Sequence, residues 1–354
     1  MASLKIKCIY VISVIDNVAA HVQSTLQGFG LDIQVREFPL SQYGTPIAPN
    51  VAMRKLSDPA LLDDQIEQIE YLLADQPVIS QVLEHPRNRV KWVQNTFAGV
   101  EMIFNNLSKL KMDPDLIITR TSNNISGQMM GEYVIGHIIA RERNFLGLAD
   151  CQQNCLYEQN KFWPYRVLTD LSIGILGLGN LGTDVVRMAK AMGMSTWAVL
   201  RDQRFSSGDQ QCSHVDHVRP VSRMEEALRE VDYLVSLLPS TPDTRGLLSG
   251  ETLKACRNKK TVLINLGRGD IIDDESLIYA LKQGWIGGAI LDVHNKEPVP
   301  INSPLWGIQG VTITPHVSCS TTGISMLTDA YIENLQKYLQ GNDLRNQVDL
   351  TKGY

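Results

Sequence analysis

Residues 172–182 read SIGILGLGNLG. The run SIGIL is short, apolar and rich in isoleucine, as a strand buried on both faces must be. It breaks into G-L-G-N-L-G, after which apolar side chains recur at helical spacing as far as Met192. Strand, glycine turn and helix in that order make G-x-G-x-x-G a dinucleotide-binding fingerprint rather than a loop that happens to hold glycines. Gly177 permits the tight turn, Gly179 lets a pyrophosphate approach the backbone, and Gly182 lets helix and strand close on each other. The helix start, at Asn180 and Leu181, offers unpaired N–H groups and a positive dipole end to phosphate.

The same alternation continues downstream. Strands are expected at residues 195–199, 233–237, 261–265, 288–292 and 311–314, with helices at 222–230, 249–256 and 274–283. Gly193 and Gly284 fall where helix C-caps belong. With the fingerprint strand, this makes six parallel strands in a doubly wound Rossmann sheet. The first half is α/β but less regular, with candidate strands at 4–11, 32–36, 71–73, 92–95 and 116–119. Residues 41–61 carry three prolines and no period, and read as loops, some of which would shape a pocket. A long helical pattern, MGEYVIGHIIARERN, begins near Gly131 and is expected to cross between domains. The tail at 328–340 is amphipathic and is expected to return to the first domain. The predicted organisation is a flavodoxin-like α/β substrate domain, residues 1–117 with 318–354, and a dinucleotide-binding domain, 118–317, with a cleft between them.

Composition narrows the class. A chain of 354 residues that is 44% hydrophobic can bury two cores. A net charge of −5 argues against a nucleic-acid surface. No apolar run approaches a membrane span. The N-terminal MASLKIKCIYVISVI is a first buried strand rather than a signal peptide, because its apolar run is β-branched and no small-residue cleavage site follows. Six cysteines without framework spacing suit a reduced, cytoplasmic protein. Cys151 and Cys155, at helical spacing, read as free thiols on one helix face, and no metal site is expected.

Three segments follow the last strands, at the carboxyl edge where doubly wound sheets bind ligands. They are INLGRGD with Arg268, LDVHNKEP with Asp292 and Glu297, and TPHVS with His316. Reduction of a 2-oxo acid needs this inventory. A guanidinium holds the carboxylate and polarises the carbonyl. An imidazolium protonates the oxygen as hydride reaches carbon. A carboxylate beside the imidazole fixes its tautomer and stabilises its charge. Taken singly, each residue would read as an ordinary loop charge or cap. His294 and His137 are read as structural, and His214 and His217 as members of a polar loop.

Together with GLGNLG, LLPSTPDTRGLL, INLGRGDIIDDESL and GGAILDVHNKEP, these segments resemble the D-isomer-specific 2-hydroxyacid dehydrogenase family from about Trp92 to Thr321. The resemblance implies that Arg268, Glu297 and His316 are catalytic and that Asp292 lies beside the nicotinamide. It also places Pro239 at the cofactor. WVQNTFAGVE resembles the loop whose N–H groups take the substrate carboxylate, implicating Ala98, Gly99 and Val100; Glu101 stands where the family usually has Asp. At the end of the second Rossmann strand, Leu200 replaces the acid that would hold an NAD ribose. Arg201 and Arg204 follow in VLRDQR, which resembles NADP-preferring glyoxylate and hydroxypyruvate reductases of the family; Asp202 is the rival ribose ligand, which would restore NAD. The expected activity is NADPH-dependent reduction of a small 2-oxo acid. The alternatives are an NAD-dependent phosphoglycerate-type dehydrogenase and a dinucleotide-sensing corepressor-like binding protein. Family members are mostly homodimers, and the helix MGEYVIGHIIA with the segment to Trp163 is the candidate interface.

Overall fold

In a computed structural model the chain divides into two units, Met1–Asn123 with Thr321–Tyr354, and Asn124–Ser320. The structure describes residues 6–13, 15–38, 64–106, 115–121, 124–208, 214–319 and 324–350; the stretch 41–61, read as loops, lies outside them.

The first unit holds β1 (Cys8–Ile12), β2 (Gln34–Glu37), β3 (Tyr71–Ala74), β4 (Trp92–Asn95) and β5 (Ile117–Arg120), all parallel and ordered β2-β1-β3-β4-β5. That is the flavodoxin-like order. The strands alternate between two cores, as a period of two requires. Tyr10, Ile12, Leu72 and Val93 face one core, while Ile9, Val11, Leu73 and Trp92 face the other. The second core is closed by the tail helix Ile324–Gln340, through Leu327, Tyr331 and Leu335. The Trp92 ring stacks on both Tyr331 and Tyr338, with centroids 5.2 Å apart in each case. The helix begins earlier than the 328 expected from its amphipathic pattern.

The second unit holds β6 (Ser172–Leu176), β7 (Ser195–Leu200), β8 (His217–Pro220), β9 (Tyr233–Ser236), β10 (Val262–Asn265), β11 (Gly288–Leu291) and β12 (Val311–Ile313). The order is β12-β11-β10-β9-β6-β7-β8, again all parallel. Chain order reverses across β6, which makes β6 the switch point of a doubly wound sheet. Strand β8 corrects the expected count of six. It is a four-residue edge strand, HVRP, with polar residues alternating and a proline at its end, so it carries no apolar run to betray it. His217 opens that strand rather than lying in a loop, and its ring meets Trp197 at 4.3 Å.

Three helical expectations also change. The stretch near 249–256 is a 3-10 helix, Thr252–Arg257. The long helix starts at Asn124, before Gly131, and ends at Glu142. Its apolar face is core rather than interface: Val134 and Ile138 are fully buried with Ile173, Ile175 and Val185. Glycine makes this packing close, since a Cβ at Gly127 would fall 2.0 Å from the Asp184 carboxylate and one at Gly131 would fall 2.2 Å from Met188 Sδ. Finally, the helix carrying Cys151 ends at Gln153, so buried Cys151 and exposed Cys155 share no helix face.

Candidate functional site: the carboxyl edge of the second unit

The glycine turn behaves as its sequence suggests. Gly177 sits at φ 99°, where a side chain is strained, and its absent Cβ would meet the Leu237 backbone at 3.2 Å. Gly182 is packed so closely that a Cβ would fall 2.2 Å from the Gly177 carbonyl oxygen. Gly179 differs. Its φ of −92° suits any residue, and a Cβ there would meet nothing within 4 Å. Neither the turn nor the packing requires glycine at 179, so the open space beside it is room for a ligand. The helix Asn180–Ala191 starts at this point without a side-chain cap, leaving its first N–H groups to an anion. The residues present therefore fit a dinucleotide pyrophosphate.

Leu200, 3% exposed, is the last residue of β7, and exposed Arg201 follows it. Arg204 reaches back to the fingerprint, where Nη1 donates to the carbonyl of Leu178. Asp202 is turned elsewhere: its carboxylate accepts from the N–H and hydroxyl of Ser222, beyond edge strand β8. Pro239 lies three residues past β9, with its carbonyl taken by the Thr244 hydroxyl at 2.5 Å.

Arg268 is set by its neighbours. A Cβ on Gly267 would fall 2.6 Å from the Leu238 carbonyl oxygen, and one on Gly269 would fall 2.0 Å from the backbone of His294. The backbone of G-R-G is thus wedged between two loops. Buried Asn265 ties it from below, donating to the Arg268 carbonyl at 2.9 Å and accepting from Gly267 N–H at 3.3 Å. Arg268 Nη1 donates to the Gly267 carbonyl at 2.7 Å.

His316 Nδ1 lies 2.9 Å from Glu297 Oε2. Glu297 Oε1 accepts from the N–H of His294 at 2.9 Å, so both of its oxygens are committed. Burial pushes the Glu297 carboxyl upward, but hydrogen bonds from His316 and the His294 backbone prevail and hold it below its usual range. The His316 side chain remains 52% exposed, and its backbone sits at φ 56°. A left-handed histidine costs about 1–2 kcal/mol and persists only where its surroundings impose it.

Asp292 imposes it. The carboxylate is fully buried and accepts from Thr314 Oγ1 at 2.5 Å, Val317 N–H at 2.9 Å and Ser318 N–H at 2.9 Å. Burial is the largest influence and raises its pKa, yet the combined hydrogen bonds bring it below the ordinary value. Asp292, with no exposed surface, ties the His316 loop from beneath through these three bonds.

Ala98, Gly99 and Val100 belong to the first unit, after β4. Buried Asn95 donates through Nδ2 to the carbonyls of Phe97, at 2.9 Å, and Gly99, at 2.5 Å. Arg120 Nη1 donates to the carbonyl of Ala98 at 3.2 Å. Three consecutive carbonyls are drawn off by side chains, while no acceptor among the described residues takes the N–H of Ala98, Gly99 or Val100. Successive N–H groups without an internal acceptor are the kind of backbone donors that an anion can use. Sequence reasoning missed Asn95, Arg120, Tyr133 and Thr314. The available signals were a buried amide a few residues ahead of a glycine-bearing loop, and a threonine two residues before the histidine.

Residues 135–318 match the sequence profile of the D-isomer specific 2-hydroxyacid dehydrogenase NAD binding domain. The chain is 32% identical over 266 residues to glyoxylate/hydroxypyruvate reductase A of Escherichia fergusonii, which covers 73% of this chain and 80% of that one. Its fold resembles a D-isomer specific 2-hydroxyacid dehydrogenase from Xanthobacter autotrophicus Py2, solved with NADPH and MES, at TM-score 0.77 and 26% identity over 98% of this chain and 99% of that one. An NADPH-dependent glyoxylate/hydroxypyruvate reductase from Sinorhizobium meliloti, solved with NADP and sulfate, shares the fold at TM-score 0.77 and 24% identity over 99% of this chain and 100% of that one. A fingerprint with space left at Gly179, a wedged arginine and a histidine paired with a glutamate thus occur on a chain whose sequence matches over most of its length: the chain belongs to the D-isomer specific 2-hydroxyacid dehydrogenase family.

Proposed function

We propose that this chain reduces a small 2-oxo acid (glyoxylate, hydroxypyruvate, pyruvate or phenylpyruvate) to the D-2-hydroxy acid with NADPH. The observation that carries the reading is the 2.9 Å His316–Glu297 pair on a strained backbone at the carboxyl edge of the fingerprint sheet. The cofactor supplies hydride to the carbonyl carbon. Arg268 holds the substrate carboxylate and polarises the carbonyl with its planar fork. Glu297 accepts from Nδ1 of the imidazolium, so His316 Nε2 gives its proton to the carbonyl oxygen, and hydride plus proton complete the alcohol. Ala98, Gly99 and Val100 offer N–H groups to the carboxylate. Gly177, Gly179, Asn180, Leu181 and Gly182 take the pyrophosphate, and Pro239 borders the cofactor.

Arg201 and Arg204 meet the 2′-phosphate with charge-assisted hydrogen bonds. The commitment of Asp202 to Ser222 supports NADPH over NADH, because no acid is then directed at a ribose diol. The names of the E. fergusonii and X. autotrophicus relatives and the NADPH bound to the latter support the same reading. We also propose a cytoplasmic homodimer. No helix among the described residues is long and apolar enough to cross a membrane. Leu146, Tyr157 and Trp163, in the segment expected at the interface, are 80%, 98% and 73% exposed, so apolar side chains remain there for a second chain to cover.

Steady-state rates with the four oxo acids and both cofactors test the reading. NADPH-dependent turnover, cut roughly 10²–10⁴-fold by His316→Gln, is expected. A preference for NADH would make Asp202 the ribose ligand. Cofactor binding without turnover would instead favour a sensing protein.

A further inference from the structure

Thr314 Oγ1 has one hydrogen, and it goes to Asp292 because an ionised carboxylate only accepts. The hydroxyl of Tyr133, 2.5 Å from the same Oγ1, must therefore be the donor in that contact. A directed chain results: Tyr133 OH to Thr314 Oγ1, and Thr314 Oγ1 to Asp292 Oδ1. The carboxylate at its end gathers the N–H groups of Val317 and Ser318. On the other side of the loop, Thr314 N–H is fixed to the Leu291 carbonyl at 2.9 Å. His316 lies between these anchors at φ 56°. Tyr133 itself comes from a different element, the Asn124–Glu142 helix, where its ring packs on His137 at 4.3 Å. Its hydroxyl is held protonated, with burial raising the pKa to about 12, so it stays a donor at every working pH.

We infer that Tyr133 and Thr314 are positioning residues for the reaction: through Asp292 they hold the His316 loop in the strained geometry that presents the imidazole to Glu297 and substrate. Tyr133 acts through this chain of hydrogen bonds. The hydroxyl orients Thr314, the oriented Thr314 completes the donor set of Asp292, and a fully bonded Asp292 keeps Val317 and Ser318 turned inward. A packing role for Tyr133 would be served by phenylalanine, and a packing role for Thr314 by valine. The present role requires the oxygen atoms.

This inference rests on the proposed role of His316, and the test separates the two. Tyr133→Phe and Thr314→Val are measured with saturating glyoxylate and whichever nicotinamide cofactor supports turnover. Each is expected to lower kcat about three- to thirtyfold, roughly what one buried hydrogen bond is worth. KM for the cofactor should stay close to wild type, and the melting temperature should fall by no more than a few degrees. Thr314→Ser keeps the hydroxyl and is expected to recover most of what Thr314→Val loses. In a His316→Gln background, Tyr133→Phe should cost nothing further, because the group it positions is gone. A fall in cofactor affinity with kcat preserved would place the chain at the nicotinamide and overturn the inference. Equal losses from Tyr133→Phe in both backgrounds would likewise reduce Tyr133 to general packing. If His316→Gln itself turns over near the wild-type rate, the role of His316 fails, and this inference fails with it. If His316→Gln is crippled while Tyr133→Phe and Thr314→Val are normal, only the inference fails.

Discussion

Two short loops, 97–100 in the first unit and 314–318 in the second, are pinned by opposite chemistry. Beneath the second lies a carboxylate, Asp292, which collects N–H and hydroxyl donors. Beneath the first lies an amide, Asn95, helped by Arg120, which together collect carbonyls. Each pin is a buried polar side chain at the carboxyl end of a parallel strand. What differs is which half of the peptide group each one consumes. By taking carbonyls, Asn95 leaves the N–H groups of Ala98, Gly99 and Val100 as the loop's remaining backbone donors, in keeping with the proposed carboxylate site. By taking N–H groups, Asp292 leaves the loop to present a side chain, His316, in a backbone conformation it would not otherwise hold. The pin's polarity therefore decides what its loop offers, and reversing it should do more damage than removing it.

The largest effect is expected from Asn95→Asp, which keeps the shape and reverses the polarity. A buried carboxylate would face the carbonyls of Phe97 and Gly99, with no donor for either, close to where the substrate anion is proposed to bind. Leaving buried groups unpaired costs about 1–3 kcal/mol each, and like-charge repulsion adds to it. The expected outcome is a drop in kcat/KM for glyoxylate of roughly 10²–10³-fold, with cofactor affinity unchanged. Cofactor titration by fluorescence and steady-state kinetics on the same sample check it. A wild-type kcat/KM would mean that loop 97–100 does not bind the carboxylate.

Asp292→Asn reverses the other pin only in part, because an amide can still accept through its oxygen while its NH₂ faces donors. Turnover should fall about ten- to a hundredfold through kcat, for loss of one or two charge-assisted bonds. KM for the oxo acid should change little. Should cofactor KM rise instead while kcat holds, Asp292 would face the nicotinamide after a local rearrangement.

Arg120→Ala removes one carbonyl pin and leaves both Asn95 bonds in place. A rise in KM for the oxo acid of about three- to tenfold is expected, the effect of one hydrogen bond at a partly solvated site. An effect as large as that of Asn95→Asp would mean the three carbonyls are held as a single unit.

The difference between the loops also marks how far the sequence could be read. The fingerprint, the order of the strands it begins and the segments carrying Arg268, Glu297 and His316 are legible because each depends on local pattern: apolar runs, turn glycines and residues just past a strand end. The pins are not legible in the same way. Asn95 looks like any polar residue closing a strand, and Thr314 and Tyr133 are 181 positions apart, joined only when helix and sheet are folded. Strand β8 escaped because an exposed edge needs no apolar pattern. In the Asn124–Glu142 helix an apolar face cannot by itself say whether a second chain or its own sheet covers it; the glycines at 127 and 131, which admit Asp184 and Met188, mark the side packed within the chain. The resemblance implies that Asp292 lies beside the nicotinamide, but its bonds to Thr314, Val317 and Ser318 become visible only in the folded chain.

The smallest expected effect concerns the pins' response to pH, because only one of them ionises. Asp292 has a folded pKa below the ordinary aspartate value of 3.8, its hydrogen bonds outweighing the burial that opposes them. A depressed carboxyl stabilises the fold above its unfolded pKa, and that contribution is lost as pH falls through the folded value. Above pH 3.8, then, ionised Asp292 clamps the loop; well below it, a protonated Asp292 resembles the asparagine of Asp292→Asn. The melting temperature of Asp292→Asn should lie on the order of 5 °C under wild type at pH 7, the shift expected for one to two kcal/mol in a unit of this size. That gap should narrow steadily as pH falls from 4 toward 2. Glu297, also held low, is common to both proteins and cancels from the difference. Asn95→Leu, by contrast, should keep a constant gap from wild type over the same range, since an amide has no proton to gain. A constant gap in acid would mean that folding leaves the Asp292 carboxyl unshifted, and a widening gap that folding raises it; either would overturn the reading of Asp292 as a pin held ionised by its donors.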